Sequence, residues 1–360
     1  MTLLMTPGPT RVPERVLRAG AQPMMHHRTA EFSRELAEML DLIRPVFGTT
    51  SRVLPVHTTG RGGMEAVICN LFAPGDAVAV CANGKFGELW ATIAASHGLV
   101  VHRVSADWTR DVNPDDVDAL LSAHPEIRAV AMTYCDTSTA VANDVEAVCR
   151  VARARHALSL VDGVSAIGGM AFEFDKWGVD AAVTASQKCL MSTPGLAFVA
   201  LSERALAETK RARLPRGYWD FPEILQMISK PRPMTPGTTP VTVVLHVAEA
   251  LRMMHEEGLD AVYRRHDAMA ARLHAGIARL GLAMQCPDLR RRATTLTAIA
   301  APAGVASDGI RDRLEAHGVL VATGLGRYET TAFRIGHMGD IRLADIERTL
   351  TVLAGVLVPA

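Results

Sequence analysis

Apolar runs alternate with amphipathic stretches over residues 31–202, and this alternation predicts the fold class. Six short apolar runs have the length of strands and lie at 76–82, 100–106, 127–134, 157–165, 181–186 and 196–202. Between and before them, helical spacing of apolar residues occurs at 31–47, 62–72, 87–98, 114–124 and 144–155. Strands that are apolar throughout and alternate with helices are covered on both faces, so we predict an α/β fold with a mainly parallel sheet.

The chain changes character after residue 202. Residues 213–240 are rich in proline and aromatic residues and show no period, which predicts an irregular segment that is functional or forms an interface. Helical patterns follow at 241–258 and 259–281, and the remainder mixes shorter strands and helices. Because 360 residues exceed what one core usually serves, we predict two domains, a large one over 15–257 and a small α+β domain over 258–360.

Composition narrows the classes of function. Lys+Arg and Asp+Glu each number 38, so no net charge attracts the chain to nucleic acid or to an anionic membrane. No run approaches the roughly 20 apolar residues of a membrane span. The six cysteines lack CxxC or CxH spacing, which favours reduced thiols over disulfides or a zinc site. We therefore expect a soluble cytoplasmic protein without a metal site, a nucleic-acid partner or a membrane partner.

The candidate chemistry lies where strands end, because ligands of parallel sheets bind beyond the carboxyl ends of the strands. Asp162 ends one apolar run, Asp136 and Ser138 follow another, and Lys188 follows a third. The glycine-rich turn TTGRGG at 58–63 opens a helix, and free amides at a helix start bind anions such as phosphate. Taken singly, each feature is more often structural, since aspartates cap turns and lysines are usually solvated.

Together these features suggest one cofactor. A lysine amine, a buried carboxylate and a phosphate-binding turn on a parallel sheet are what pyridoxal phosphate requires. The lysine forms the Schiff base, the carboxylate keeps the pyridine nitrogen protonated, and the turn holds the phosphate. The nucleotide and hydrolase motifs GxGxxG, GxxxxGK[ST], GxSxG and HExxH do not occur in the sequence.

The chain resembles the class V aminotransferases, which are fold-type I pyridoxal-phosphate enzymes. The likeness is to the branch that contains alanine–glyoxylate, serine–glyoxylate, ureidoglycine–glyoxylate and pyridoxamine–pyruvate aminotransferases. It covers nearly the whole chain through collinear motifs, namely TPGPTRVPERVL with HHRTAEF, TTGRGGMEA, NGKFGEL, TSTA, VDGVSAIGG, SQKCLMSTPGL and FRIGHMG. The resemblance implies a seven-stranded sheet flanked by helices, with an N-terminal segment, residues 1–14, that packs near the active site.

The resemblance also implies roles for single residues. Lys188 would bind the cofactor covalently and then move a proton between the substrate Cα and the cofactor. Asp162 would pair with the pyridinium nitrogen, and Ser138 would hydrogen-bond the region of the ring hydroxyl. Phe86 would stack on the ring, and Gln187 would help to hold the phosphate.

The pocket lining and a second subunit complete the implied site. Arg334 would bind the substrate α-carboxylate through a bidentate fork. Thr238 would reach the phosphate of the neighbouring subunit, so that a homodimer shares its active sites. Thr235, also counted among the cofactor-binding residues, stands where many relatives carry a tyrosine or asparagine that reaches across the dimer. The phosphate and ring pocket would be lined by Thr59, Gly60 and Arg61.

The chain departs from the family pattern beside the pocket rather than at Lys188. Tyr134 stands where relatives often show histidine, Asp136 where they show glutamate, and Ala140 where glycine is common. These changes leave the chemistry intact and leave the substrate open.

Several functions compete on this fold. The leading one is a transaminase that moves an amino group from an amino acid or amine to glyoxylate or pyruvate. A lyase or racemase would use the same lysine and carboxylate. A desulfurase needs a nucleophilic cysteine in a glycine-rich loop, which Cys286 does not have. A non-catalytic scaffold would have no need of Lys188, Asp162 and Arg334 together.

Overall fold

The structure of this chain is a computed structural model that describes residues 2–357. Residues 1 and 358–360, which the predicted N-terminal segment and small domain include, lie outside the described residues. The strands are β1 (Leu3–Leu4), β2 (Val53–Val56), β3 (Ala77–Ala82), β4 (Val100–Ser105), β5 (Ile127–Thr133), β6 (Cys135–Asp136), β7 (Val141–Ala142), β8 (Leu158–Asp162), β9 (Ala181–Ala185), β10 (Ala197–Leu201), β11 (Leu296–Ala300), β12 (Val319–Leu320), β13 (Ala322–Thr323) and β14 (Ala332–Gly336). The helices are α1 (Glu14–Gly20), α2 (Ala30–Phe47), α3 (Gly60–Leu71), α4 (Lys85–Ser96), α5 (Pro114–Ala123), α6 (Val145–Ala154), α7 (Phe174–Trp177), α8 (Glu203–Glu208), α9 (Phe221–Ile228), α10 (Val241–Glu257), α11 (Leu259–Arg279), α12 (Ser307–Ala316) and α13 (Leu343–Leu357).

A seven-stranded sheet forms the centre of the larger part, in the order β2-β10-β9-β8-β5-β3-β4. The five strands β9, β8, β5, β3 and β4 are parallel to one another, whereas β10 is antiparallel to both β9 and β2. All residues of β3, β8, β9 and β10 are buried, as expected for strands covered on both faces. The prediction of an α/β fold with a mainly parallel seven-stranded sheet is confirmed.

The six runs identified as strands all form strands of this sheet, but the pattern does not predict the seventh, β2. Its sequence VLPV is only four residues long and contains Pro55, which lacks a backbone N–H. Proline within a sheet is largely confined to edge strands. β2 is such an edge strand, with β10 as its one neighbour in the sheet order.

The segment 213–240 is not irregular throughout, because α9 lies within it. Asp220 caps the helix by accepting a hydrogen bond from the backbone N–H of Glu223 at 2.9 Å. Pro222 stands in the first turn, where its missing N–H has no helical partner to lose. The helix buries Phe221, Ile224 and Ile228. Eight residues are too few for the helical period to stand out in the sequence.

The C-terminal part has its own three-stranded antiparallel sheet, in the order β11-β14-β13. A separate hydrophobic core joins this sheet to α11, α12 and α13. The N-terminal residues attach here, since β1 pairs with β12 and the backbone N–H of Gly336 donates to the carbonyl oxygen of Met5 at 2.7 Å. The first residues of the chain therefore pass from the C-terminal sheet towards the turn that carries Lys188.

None of the helices among residues 2–357 has both the length and the apolar character that a membrane crossing demands.

Candidate active site

The carboxyl ends of β5, β8 and β9 lie side by side. Thr133 at the end of β5 pairs with Asp162 at the end of β8, and Asp162 pairs with Val183 in β9. The predicted residues Asp136, Asp162 and Lys188 follow or end these three strands. The parallel register thus brings together residues that are up to 52 positions apart in sequence.

Lys188 lies in the turn after β9 and points at the N-terminal segment. Its ammonium Nζ donates to the carbonyl oxygen of Pro7 at 2.5 Å and lies 3.5 Å from the Ser165 hydroxyl. Gly8 packs so closely that a Cβ there would lie 2.6 Å from the lysine Cε. Burial lowers the pKa of Lys188 to about 8, and the positive charge of Arg334 acts in the same direction. Near neutral pH, part of the population therefore carries a neutral, nucleophilic amine.

Asp162 is the last residue of β8 and is buried, with 4% of its surface exposed. Its Oδ1 accepts a hydrogen bond from the backbone N–H of Val164 at 2.9 Å. Burial raises the pKa of Asp162 to about 7, with a further rise from the charge of Asp136 and an opposing effect of Lys188. Among the described residues, no cationic side chain forms an ion pair with Asp162. A cation supplied by a ligand would favour its ionised form.

The glycine-rich turn lies at the start of α3, directly after β2. Thr59 and Arg61 are exposed, whereas Gly60 is buried against Val164, whose Cγ2 would lie 2.5 Å from a Cβ at position 60. Glycine is required here by this close approach of the loop that follows Asp162. The first amides of α3 have no partner within the helix, and together with the helix dipole they form a site for an anion.

Gln187 adds a polar group beside the lysine. Its Oε1 is buried and has no hydrogen-bond partner among the described residues. Rotation of the amide would offer the N–H2 group to an anion instead. Its backbone carbonyl accepts a hydrogen bond from the backbone N–H of Thr10 at 3.1 Å, which fixes the turn to the N-terminal segment.

Phe86 and Ser138 are held by one buried carboxylate, that of Asp136. Its Oδ2 accepts the backbone N–H groups of Phe86 at 2.9 Å and Gly87 at 3.1 Å. Its Oδ1 accepts the backbone N–H and the hydroxyl of Ser138 at 2.9 and 2.6 Å. Ser138 Oγ in turn accepts the backbone N–H of Lys85 at 3.0 Å. Asp136 thus anchors the first turn of α4 and orients Phe86. Burial raises the pKa of the Asp136 carboxyl, and these hydrogen bonds act in the opposite direction.

Arg334 lies in β14, and its side chain reaches the segment between β6 and β7. Its Nε donates to the carbonyl oxygen of Thr323 at 2.8 Å and its Nη1 to that of Thr137 at 3.2 Å. Burial lowers the pKa of the guanidinium to about 10, so it is charged at neutral pH. In the part of the chain that the structure describes, no carboxylate forms an ion pair with it. A buried guanidinium held in this way can receive a carboxylate from a ligand.

Thr235 and Thr238 lie in the loop before α10. Thr235 is buried, and its hydroxyl donates to the carbonyl oxygen of Gly237 at 2.9 Å. Arg28 fixes this loop by donating to the carbonyl oxygens of Thr235 and Pro236. Thr238 is exposed and lines a groove. No hydrogen bond among residues 2–357 joins either threonine to Lys188.

Residues 2–343 match the model of the family described as aminotransferase class-V. The chain belongs to this family. L-Aspartate–glyoxylate aminotransferase from Paracoccus denitrificans is 37% identical over 341 residues, which is 93% of this chain and 86% of the relative. A soluble hydrogenase small subunit from Synechococcus sp. is 37% identical over 359 residues, which is 99% of this chain and 92% of the relative. The crystal structure of ureidoglycine–glyoxylate aminotransferase from Bacillus subtilis superposes with a TM-score of 0.93 at 30% identity, covering 99% of this chain and 93% of that one.

These matches confirm the predicted family and the fold-type I architecture, and with them the prediction of a transaminase. Class-V aminotransferases imply pyridoxal phosphate, and the described residues fit this group. Lys188 offers an amine with a lowered pKa, and Asp162 offers a buried carboxylate that has no cationic partner within residues 2–357. Gln187 has a buried side-chain oxygen with no hydrogen-bond partner in the described part of the chain, and α3 begins after β2 at the same end of the sheet as the turn after β9.

The structure of this class-V aminotransferase also shows site residues that the sequence reasoning did not choose. Pro7 and Ser165 contact Lys188 Nζ, and Thr137 supplies a carbonyl oxygen to Arg334. Thr10 reaches the turn of Lys188, where its hydroxyl donates to the carbonyl oxygen of the lysine at 3.0 Å. These residues lie in the quoted TPGPT, VDGVSA and TSTA motifs. Pro7 and Thr137 act through backbone carbonyl oxygens, which leave no signature in the residue type, whereas Ser165 and Thr10 act through their hydroxyl groups.

Proposed function

We propose that this class-V aminotransferase moves an amino group from an amino acid or amine to glyoxylate or pyruvate, with pyridoxal phosphate bound at Lys188. The observation that carries the proposal is Arg334, a buried guanidinium without a carboxylate partner among the described residues, close enough to Lys188 to lower its pKa. Both glyoxylate and pyruvate carry a carboxylate beside the reacting carbon. Glyoxylate is also the acceptor in the names of the relatives from Paracoccus and Bacillus.

We infer the following roles for the residues. Pyridoxal phosphate, when bound, supplies an electrophilic carbon for the substrate amine and a ring that takes up electrons from the substrate Cα. Lys188 Nζ would hold the cofactor and, once released from it, would accept the proton from the substrate Cα and pass it to the cofactor. This transfer requires the neutral amine that its lowered pKa favours. Asp162 keeps a proton on the ring nitrogen through its buried carboxylate. Arg334 orients the substrate by its carboxylate.

The remaining predicted residues would form the walls of the cofactor pocket. The amides of the first turn of α3 bind the phosphate, and Gln187 assists them. Phe86 packs on the ring, held in place by Asp136. Ser138 donates its one hydroxyl proton to Asp136, so its contact with the cofactor would be that of an acceptor. The turn is formed by Thr59, Gly60 and Arg61.

A homodimer with shared active sites is part of the proposal. Thr238 is exposed and has no hydrogen bond to the lysine cluster within residues 2–357, which supports a contact made across a subunit boundary. It lies in an apolar groove with Met24, whose side chain is 77% exposed. Thr235 would support Thr238 from within the same loop. Cofactor binding should therefore weaken when the subunits are diluted apart.

We also keep two broader predictions as proposals. The large domain would span 15–257 and the small domain 258–360, with the break at Gly258 between α10 and α11. A cytoplasmic location is supported by the six cysteines, which are all free and buried.

A hydrogenase role is the competing function, because two relatives, from Synechococcus sp. and Anabaena cylindrica, are named as hydrogenase subunits. A hydrogenase role gives no reason for Lys188, Asp162 and Arg334 to occur together. The cysteines do not favour a hydrogenase role, because burial raises the pKa of each thiol. The pKa is raised to about 11 for Cys69 and Cys286, and further for the other four. Thiols with raised pKa values are poor thiolate ligands.

The test is a half-reaction screen of amino donors without any 2-oxo acid. The holoenzyme is mixed with L-aspartate, L-serine, L-alanine or another amine, and the cofactor spectrum is followed. We expect conversion to the amine form of the cofactor with one equivalent of oxo acid released per site. Turnover of a donor without this conversion would indicate a lyase or racemase and would refute the proposal.

A further inference from the structure

A cluster of metal-binding side chains lies at the edge of the sheet, away from Lys188. His102 is in β4, the edge strand, and His124 directly follows the last turn of α5. Glu126 directly precedes β5, which is separated from β4 by β3. The β4–α5–β5 connection therefore brings the three side chains to one surface.

The three side chains are close enough to share one ion. His124 Nδ1 lies 3.0 Å from Glu126 Oε1, and His102 Nε2 lies 3.9 Å from the same oxygen. One ligand atom of each residue lies within 4.8 Å of the other two. Ligands of a tetrahedral Zn²⁺ ion at 2.0–2.2 Å lie about 3.3 Å apart, so small side-chain rotations would close the site.

One ring nitrogen of His102 lacks a hydrogen-bond partner among the described residues. Its Nε2 is buried and forms no hydrogen bond among the described residues, although it points towards the Glu126 carboxylate. Buried polar atoms without a partner are uncommon in folded proteins. The rings of His102 and His124 also lie close together, with centroids 4.2 Å apart and planes tilted by 45°, which brings their ring nitrogens to one region of the surface. A shared ion would satisfy the buried nitrogen and the carboxylate together.

The ligand types indicate the class of ion. Two imidazoles and one carboxylate suit Zn²⁺ and its first-row neighbours, whereas Mg²⁺ and Ca²⁺ prefer oxygen ligands. Three protein ligands leave a fourth position for water. We propose that His102, His124 and Glu126 form a binding site for one divalent transition-metal ion, with Zn²⁺ as the model ion. A search of the sequence for cysteine pairs or HExxH does not find this site, because its ligands come from three separate segments.

The ion would connect the edge strand to the end of α5 and the start of β5. Binding to the folded state alone raises its stability by mass action. Glu126 precedes the amino end of β5, whereas Asp162 ends β8 and Lys188 follows β9. Because these strands are parallel, Glu126 lies at the opposite ends of the strands from Asp162 and Lys188, and we assign the metal site no part in the transfer of the amino group.

The experiment uses the full chain as holoenzyme, free of any affinity tag. Isothermal titration with ZnCl₂ measures stoichiometry and Kd, and thermal unfolding is followed with and without Zn²⁺. We expect one ion per chain with a micromolar or tighter Kd, and a rise of a few degrees in Tm. His102→Ala, His124→Ala and Glu126→Gln should each weaken binding at least roughly tenfold, since even the loss of an outer-shell partner costs that much. His26→Ala serves as the matched control, because His26 and His27 form another close surface pair, with centroids 4.7 Å apart.

The variants should keep the circular dichroism spectrum and the transaminase activity of the parent, which separates lost binding from misfolding. If His26→Ala weakens Zn²⁺ binding as much as His102→Ala does, the assignment is overturned. Binding only at millimolar Zn²⁺, or a Tm that does not respond in the parent chain, would identify an adventitious ion and would also overturn it.

Discussion

Replacing Arg334 by glutamine tests how this chain selects its substrates. The change removes the charge and the fork but keeps a polar side chain that can still bond one of the two backbone carbonyl groups. Truncating one partner of a buried, hydrogen-bonded charge pair costs about 2–5 kcal/mol. At about 1.36 kcal/mol per tenfold change in rate, kcat/KM should fall roughly 30- to 5,000-fold for donors with an α-carboxylate. Arg334→Lys keeps the charge but not the bidentate fork, so it should recover only part of this loss.

The assay compares donors that differ only in the carboxylate. The half-reaction rate is measured for an α-amino acid and for the matching primary amine, and only the amino acid should suffer from Arg334→Gln. Arg292→Gln is the matched control, because Arg292 also donates to two backbone carbonyl groups, those of Cys286 at 2.8 Å and Pro287 at 3.2 Å. Equal losses for both donors, or no loss for either, would refute the role of Arg334.

The same variant has a pH signature. The positive charge of Arg334 contributes to lowering the pKa of Lys188 to about 8. Without that charge the pKa of the lysine rises, and the neutral amine appears only at higher pH. Uptake of pyridoxal phosphate by the cofactor-free Arg334→Gln variant should therefore have its midpoint at a higher pH than in the parent chain. An unchanged midpoint would show that the charge of Arg334 does not affect the pKa of Lys188.

Three further variants test the surroundings of the lysine. Gly8→Ala should reduce cofactor incorporation, read from absorbance, because the new Cβ would lie 2.6 Å from the Lys188 side chain, while Gly309→Ala has open space and should not. Asp162→Asn should retain the cofactor but slow the half-reaction by roughly a hundredfold or more, because the amide cannot stabilise a proton on the ring nitrogen; an unchanged rate would contradict this. Asp136→Asn should lower the free energy of unfolding by about 1–3 kcal/mol in urea titrations, because one oxygen of a buried acceptor is lost; an unchanged value would show that its hydrogen bonds are replaceable.

Periodicity was sufficient for the central sheet because buried parallel strands are apolar along their whole length. The apolar pattern did not identify the edge strand β2, which is four residues long and contains Pro55. It also missed α9, which was too short for its helical period to be recognised. Element assignment from sequence therefore failed where elements are short, whereas the longer edge strand β4 was predicted.

The site was predictable where the side chain itself is the reagent. Lys188 and Asp162 were predicted from their residue types and their positions at strand ends. Arg334, which lies within β14, was predicted only from the resemblance to class V aminotransferases. Pro7 could not be predicted, since it acts through its carbonyl oxygen, and its place beside the lysine depends on the path of the N-terminal segment. Asp136 was noticed as a departure from the family pattern, but only its four hydrogen bonds show that it holds the first turn of α4.

The central claim is that Lys188 carries the cofactor, and one measurement tests it directly. The holoenzyme is treated with sodium borohydride, which converts the bond between cofactor and lysine into a stable amine, and is then digested and analysed by mass spectrometry. The pyridoxyl group should be found on the peptide that contains Lys188 and should be absent from the Lys188→Ala variant. Its presence on Lys85, Lys176, Lys210 or Lys230 instead, or an unmodified Lys188 in yellow holoenzyme, would contradict the claim.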